Sequence, residues 1–235
     1  MYSKIKGGIN ISNNRKEGRK MEISTKVKNI IEWILCILIA IIIALLVRYY
    51  VGTPTIVESV SMEPTLYAGQ RLWVNRWGRT TGKLPHRGEI ITFEAPSQIV
   101  NLDRENIDMS NPIAQYEYEP KGLWNEFLYN VLEVKKTSYI KRVIALPGEH
   151  VQIKDGYVYI NGERLQEDYL PAGIVTDTEK AIYDDFIVPE NAIFAMGDNR
   201  TGSTDCRSFG CIPLEKIEST LSFRFWPLNQ FGKVE

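Results

Sequence analysis

The most apolar stretch of the chain is IIEWILCILIAIIIALLV, residues 30 to 47, and it is apolar on every side rather than striped. At about 1.5 Å rise per residue these positions give roughly 27 Å of helix, enough to cross a bilayer. Trp33 near one end and Tyr49 and Tyr50 at the other suit the two interfaces. From residue 52 onward the pattern changes to short, strand-like runs. Arg71 to Trp77 alternates, Glu89 to Phe93 is brief and apolar, and Tyr139 to Leu146 is longer. Glu149 to Ile153, Tyr157 to Ile160 and Arg164 to Leu165 are separated by Asp155-Gly156 and Asn161-Gly162, the strongest short hairpin signal. Ala192 to Met196 and Thr220 to Phe225 complete the set. The pattern predicts a mainly β domain, a β-sheet or barrel-like fold, behind one N-terminal transmembrane helix.

Three segments follow: a flexible basic cytoplasmic tail over 1–28, an anchor over 29–50 and an extracytoplasmic domain over 51–235. Residues 97–138 interrupt the strand pattern. They are polar around Asn101, Asp103, Arg104, Glu105 and Asn106, and Leu123 to Val134 reads as a short helix. A connection this long usually carries structure or function of its own.

Charge gives the anchor a direction. The first 28 residues hold eight Lys and Arg against Glu17 and Glu22. The basic flank is expected inside the cell, with everything after Val51 outside. A cleaved secretory signal is disfavoured, because the apolar run is long and Arg48, Tyr49 and Tyr50 follow it in place of a small-x-small site. The whole chain has net charge -1, which excludes a global basic field for nucleic acid. Cys206 and Cys211 are five apart, and the spacing leaves open a disulfide or two free thiols.

The residues able to carry chemistry fall in three places. Ser61 sits in SVSMEPTL, where Pro64 favours irregular or extended backbone. Serine becomes a nucleophile only when a base takes its proton. His86 and His150 are the only histidines and both lie in turn-like stretches. Lysine serves as base only when neutral, which requires burial without acidic partners. Lys141, inside an apolar strand, meets that demand. By strand alternation Lys141 and Arg142 point to opposite faces, one toward the site and the other toward a carboxylate or solvent. The third place is MGDNRTGSTDCRSFG, residues 196 to 210. Asp205 and Arg207 are spaced to pair there, and Ser203 offers a hydroxyl to a lysine amine.

SMEPTL (61–66), RGEIITF (87–93), YIKRVIALPGEHV (139–151) and GDNRTGSTDCRSFG (197–210) resemble, in order, the motif boxes of type I signal peptidases. The basic tail and single anchor resemble the Gram-positive members. The resemblance implies a membrane-bound endopeptidase that removes signal peptides from exported preproteins after small residues of the Ala-x-Ala type. It implies Ser61 as nucleophile, Lys141 as general base and Ser203 positioning the lysine amine. Asp205 and Arg207 would form a supporting ion pair, and Ser59 would be an oxyanion-hole hydroxyl. Met62, Leu66, Tyr139 and Ile140 would line the substrate pockets. No metal or cofactor is implied, and the partners are preproteins, the lipid bilayer and the translocation machinery, with no nucleic acid. Cys206, Ala145, Glu149 and Gln70 depart from residues common in the family, and none touches the dyad. Three other readings stay open: a self-cleaving repressor-type Ser–Lys protease, a non-catalytic membrane-tethered peptide-binding β-domain, and a Ser–His–Asp hydrolase using His150.

Overall fold

A computed structural model of the chain describes residues 11–97, 108–176 and 181–234, with side chains from residue 24 onward. The chain divides after Leu46 into an N-terminal unit and a second unit that starts at Val47.

The first unit is a helix, α1 (Ile11–Leu46). Ser24–Val51 is long and apolar enough to cross a membrane, and its apolar side chains are unburied all round. The helix starts at Ile11, so the second part of the basic segment is helical. No proline interrupts residues 11 to 28, and Lys, Arg, Glu and Met there are good helix formers.

The second unit is mainly β. Its strands are β1 (Gly52–Ile56), β2 (Arg71–Asn75), β3 (Ile90–Glu94), β4 (Ser138–Ala145), β5 (His150–Lys154) and β6 (Tyr157–Ile160). After these come β7 (Glu163–Arg164), β8 (Asp185–Ile187), β9 (Ala192–Met196), β10 (Ile212–Pro213) and β11 (Ile217–Trp226). Short helices α2 (Trp77–Thr81), α3 (Leu123–Asn130) and α4 (Cys206–Phe209) connect them. One antiparallel sheet runs in the order β1-β2-β11-β3-β4-β9-β10, and a smaller one in the order β7-β6-β5-β8. The large sheet stays open between β1 and β10, so it is not a closed barrel.

Both hairpin signals are realised. Asp155 and Gly156 take φ of 55° and 79° between paired Lys154 and Tyr157, and Asn161 and Gly162 take 53° and 84° between Ile160 and Glu163. A two-residue turn with positive φ at both positions matches the strand twist. The strand β1 has no counterpart in the sequence reading. Pro54 and the absence of alternation hide it, and its edge position is what makes a proline tolerable. The helix expected at 123–134 ends at Asn130. Asn101, Asp103, Arg104, Glu105 and Asn106 lie outside the described residues.

The larger core cluster is built on β9, buried at all five positions, on Val143, Ile144 and Ala145 of β4, and on Phe93 and Phe209. Burial along β4 rises from exposed at Ser138, through half-buried at Tyr139 and Ile140, to buried from Lys141 on. A second cluster of Val57, Met62, Leu66, Leu72 and Ile90 underlies the segment between β1 and β2.

Cys206 and Cys211 are buried free thiols, and the Cys206 sulfur accepts a bond from the Ala195 amide at 3.3 Å. Burial raises both pKa values, so neither is a reactive thiolate. Mass spectrometry after alkylation of the folded protein should find both unmodified, and both modified after denaturation without reductant. A denatured, unreduced protein in which neither is alkylated would show a disulfide instead.

Candidate active site

The segment from Val57 to Gln70 closes on itself through backbone bonds from Val57 N to Gln70 O (2.9 Å) and Gly69 N to Val57 O (2.8 Å). Met62 and Leu66 are fully buried and fasten it to the core below. Ser61 sits at its turn, 7% exposed. The Asn199 amide donates to Ser61 O at 3.1 Å, and Asn199 Nδ2 donates to Val60 O at 3.2 Å. These bonds tie the serine segment to the loop after β9. Gly197 is required at that junction. A Cβ there would lie 2.4 Å from Ser61 O and 2.2 Å from Ser203 Oγ.

β4 brings the lysine. Pairing of Lys141 with Ile91 of β3 fixes its register, and alternation places Lys141 and Arg142 on opposite faces. Lys141, 3% exposed, donates from Nζ to Ser61 Oγ at 2.8 Å and to Ile140 O at 3.0 Å. Its Nζ also stands 5.3 Å from the centre of the Tyr139 ring. Ser59 Oγ lies 3.1 Å from Ser61 Oγ.

Burial lowers the Lys141 pKa to about 8, and Arg207 pushes the same way. Asp205, Cys206 and Asp198 oppose it. Neither carboxylate is available as a direct partner. Asp198 is gripped by Arg142, with Nε–Oδ1 at 3.0 Å and Nη2–Oδ2 at 2.8 Å, and receives Thr65 Oγ1 at 2.5 Å. Asp205 is gripped by Arg207 at 2.8 and 2.9 Å and accepts the Gly197 amide at 2.9 Å. Burial works to raise the Asp205 pKa, but Arg207, the Gly197 amide and the Ser203 hydroxyl outweigh it and hold the carboxyl below its usual range.

Two expectations need correction. Ser203 makes no hydrogen bond to the Lys141 amine, whose bonds go to Ser61 and Ile140. The Ser203 Oγ is shielded from water without a hydrogen bond of normal geometry, close to where Gly197 lacks a side chain. Met62 and Leu66 do not line the cleft at the serine, because both side chains are buried in the second core cluster.

A cleft of about 730 Å³ opens at the serine, walled by Pro54–Val57 of β1 and its extension on one side and Lys136–Lys141 on the other. Tyr139 and Ile140 line it, and so do Pro54, Thr55 and Ile56, which the sequence reading does not name. β9 pairs with β4 only from Arg142 onward, so among the described residues no strand covers that edge of Ser138–Lys141. β1 is likewise an edge strand. His150 pairs with exposed Asp185 across β5 and β8 at 2.6 Å, and neither histidine lines the cleft. Among the described residues no group of three His, Cys, Asp or Glu is placed to hold a metal ion.

A family model described as signal peptidase, peptidase S26, matches residues 30–226. Signal peptidase I of Bacillus licheniformis is 34% identical over 221 residues, covering 91% of this chain and 98% of that protein. Signal peptidase I S of Bacillus subtilis (strain 168) is 32% identical over 222 residues, covering 92% and 99%. A crystal structure of a signal peptidase I from Enterococcus faecalis V583 is similar at 27% identity and a TM-score of 0.36, covering 60% of this chain and 98% of that one.

The buried lysine costs stability. A fall from 10.5 to about 8 corresponds to about 3 kcal/mol against the protonated folded form. The folded pKa lies below the unfolded one, so the penalty is full below about pH 8 and fades as pH rises to about 10.5. Lys141→Met should therefore unfold at higher denaturant than wild type at pH 7, by at most about 3 kcal/mol, with the gap narrowing toward pH 10. Equal or lower stability of Lys141→Met at pH 7 would show that the lysine is not desolvated.

Proposed function

We propose a Ser61–Lys141 acyl-transfer mechanism for this chain, which belongs to the signal peptidase family, peptidase S26, and is a serine endopeptidase that removes signal peptides from preproteins. The observation that carries the proposal is the 2.8 Å contact between Lys141 Nζ and Ser61 Oγ, buried and with no carboxylate bonded to the amine. These relatives do not favour a repressor-type protease or an inert peptide-binding domain.

When Lys141 is neutral the contact reverses: the Ser61 hydroxyl donates to the amine lone pair. Oγ attacks the scissile carbonyl as Nζ takes its proton. The Ser61 amide and the Ser59 hydroxyl receive the oxyanion, and one such donor is typically worth about 3 kcal/mol. The resulting ammonium protonates the leaving amine, giving an acyl-enzyme and a neutral lysine again. That lysine then activates water for deacylation. Ser203 has a role in this cycle: its buried hydroxyl accepts a hydrogen bond from the Lys141 ammonium once the bond to Ser61 is lost. Asp205 and Arg207 hold the loop that carries it.

The two uncovered strand edges support substrate entering as an added strand, with backbone bonds for affinity and side-chain pockets for selection. Tyr139, Ile140 and the β1 wall line the cleft that would receive small residues at the cleavage site, of the Ala-x-Ala type. The basic flank supports an N-terminus in the cytoplasm and a cleft outside, with the apolar helix in the bilayer next to the translocation machinery.

Purified full-length protein in detergent should cleave a preprotein bearing an Ala-x-Ala site. Ser61→Ala should be inactive, and Lys141→Ala should lose about 10²- to 10⁴-fold in kcat/KM. Ser59→Ala should lose about 10²-fold, mainly in kcat. His150→Ala should stay active. For wild type, log kcat/KM should rise with pH and level off above about 8, because only the neutral lysine is a base. Full activity in folded Lys141→Ala, or a rising limb centred near 6.5, would return histidine as the base.

A further inference from the structure

The helix α3 is turned inside out relative to an ordinary surface helix. At about 100° per residue, Leu123, Phe127, Val131, Trp124 and Leu128 fall within one arc of roughly 140°. Tyr129, the one buried residue of the helix, lies on the opposite side. It packs through its ring against Tyr118, at 5.1 Å, and under Lys136 Nζ, at 5.1 Å. The apolar arc belongs to neither core cluster. Leu123 is 88% exposed and Trp124 69%, and Trp124 stacks on Phe127 at 5.8 Å. Phe127, Leu128 and Val131 are half-buried, so the arc faces outward most fully at Leu123 and Trp124, and an apolar surface presented in this way marks an interaction site.

The tether of this helix says what covers the stripe. Just past α3, Glu133 takes a φ of 58°, rare for a residue with a side chain. It is held there by Arg48 Nη2 at 2.8 Å and by a short contact to Arg76 Nη2, while Leu132 O accepts from Arg48 at 3.4 Å. Arg48 directly follows the apolar run that ends at Val47. Beside it, Arg79 covers the Tyr49 ring at 5.2 Å and Trp77 is exposed. The C-terminal end of α3 is thus fastened where the chain leaves the membrane span. Eight residues make a helix of only about 12 Å, so its other end stays close to a headgroup layer roughly 5–8 Å thick.

We propose that α3 is a membrane-docking helix, which lays Leu123, Trp124, Phe127 and Leu128 into the headgroup–acyl boundary of the same bilayer that holds the anchor. The proposal rests on the anchor reading above. Its consequence is positional. The segment from α3 runs straight through Lys136 into β4, so docking sets the height of the Lys136–Lys141 wall over the membrane.

The test uses the full chain in nanodiscs containing lipids brominated near the headgroup end of the acyl chains. Trp33→Phe and Trp124→Phe each report the quenching owed to one tryptophan. Quenching of both Trp33 and Trp124 is the expected result. Quenched Trp33 with water-exposed Trp124 overturns the docking helix and leaves the anchor intact. Unquenched Trp33 overturns the anchor and the docking helix with it. A Trp124 shielded from water yet unquenched by bromine assigns the stripe to a protein partner and overturns the proposal. As a functional readout, Leu123→Ser combined with Trp124→Ser should cut cleavage of a bilayer-embedded preprotein about ten-fold, while cleavage of a short soluble peptide in detergent changes by less than about two-fold. Equal loss on both substrates would indicate a structural role only and overturn docking.

Discussion

Everything around the cleft depends on keeping one amine buried without a counter-ion. An ammonium in a low-dielectric site attracts any carboxylate within a few ångströms, and a lysine so paired stays protonated. The fold solves this by giving each nearby acid a nearer cation. Asp198 is taken by Arg142 and Asp205 by Arg207, both in two-pronged geometry that suits guanidinium and carboxylate. Seen from Lys141, each pair is a dipole rather than a charge. The pairs also explain why the residue after the lysine is an arginine: alternation along β4 sends one cation to the cleft and the next to Asp198 on the opposite face.

The same pairs fix geometry. Asp205 accepts the Gly197 amide and caps α4, while Asp198 starts the turn whose Asn199 holds the Val60 and Ser61 carbonyls. A network that neutralises acids therefore also sets the distance between Ser61 Oγ and Lys141 Nζ. Gly197 shows how little slack remains, since even a methyl group would strike the Ser61 carbonyl.

Much of this was legible in the sequence, for reasons that differ by residue. β4 and β9 read as strands because they are short, mostly apolar runs, and the hairpin turns because positive φ selects Asp-Gly and Asn-Gly. Ser61 and Lys141 became candidates from chemistry and from ordered motif boxes. The failures are equally physical. β1 has too few apolar side chains to show a period, because its value to the site lies in backbone groups at a sheet edge. The resemblance implies a pocket role for Met62 and Leu66, but the turn around Ser61 sends both into the core. Pairing of Asp205 with Arg207 follows from spacing, whereas the orientation of Ser203 depends on a loop whose closure no local pattern encodes.

A site of this kind is expensive, and that bears on the size of the domain. Desolvating Lys141 costs about 3 kcal/mol, a large share of the 5–15 kcal/mol that typically separates folded from unfolded protein. The buried cation pairs add little, since desolvation offsets most of their attraction. The deficit falls to apolar burial. It is met next to the site itself, where Lys141 is followed in β4 by buried Val143, Ile144 and Ala145 against the wholly buried β9. The strand that carries the base is thus half cleft wall and half core. Its exposed first residues stay free for a substrate backbone, and its buried last residues keep the amine in a desolvated site that disfavours its protonated form.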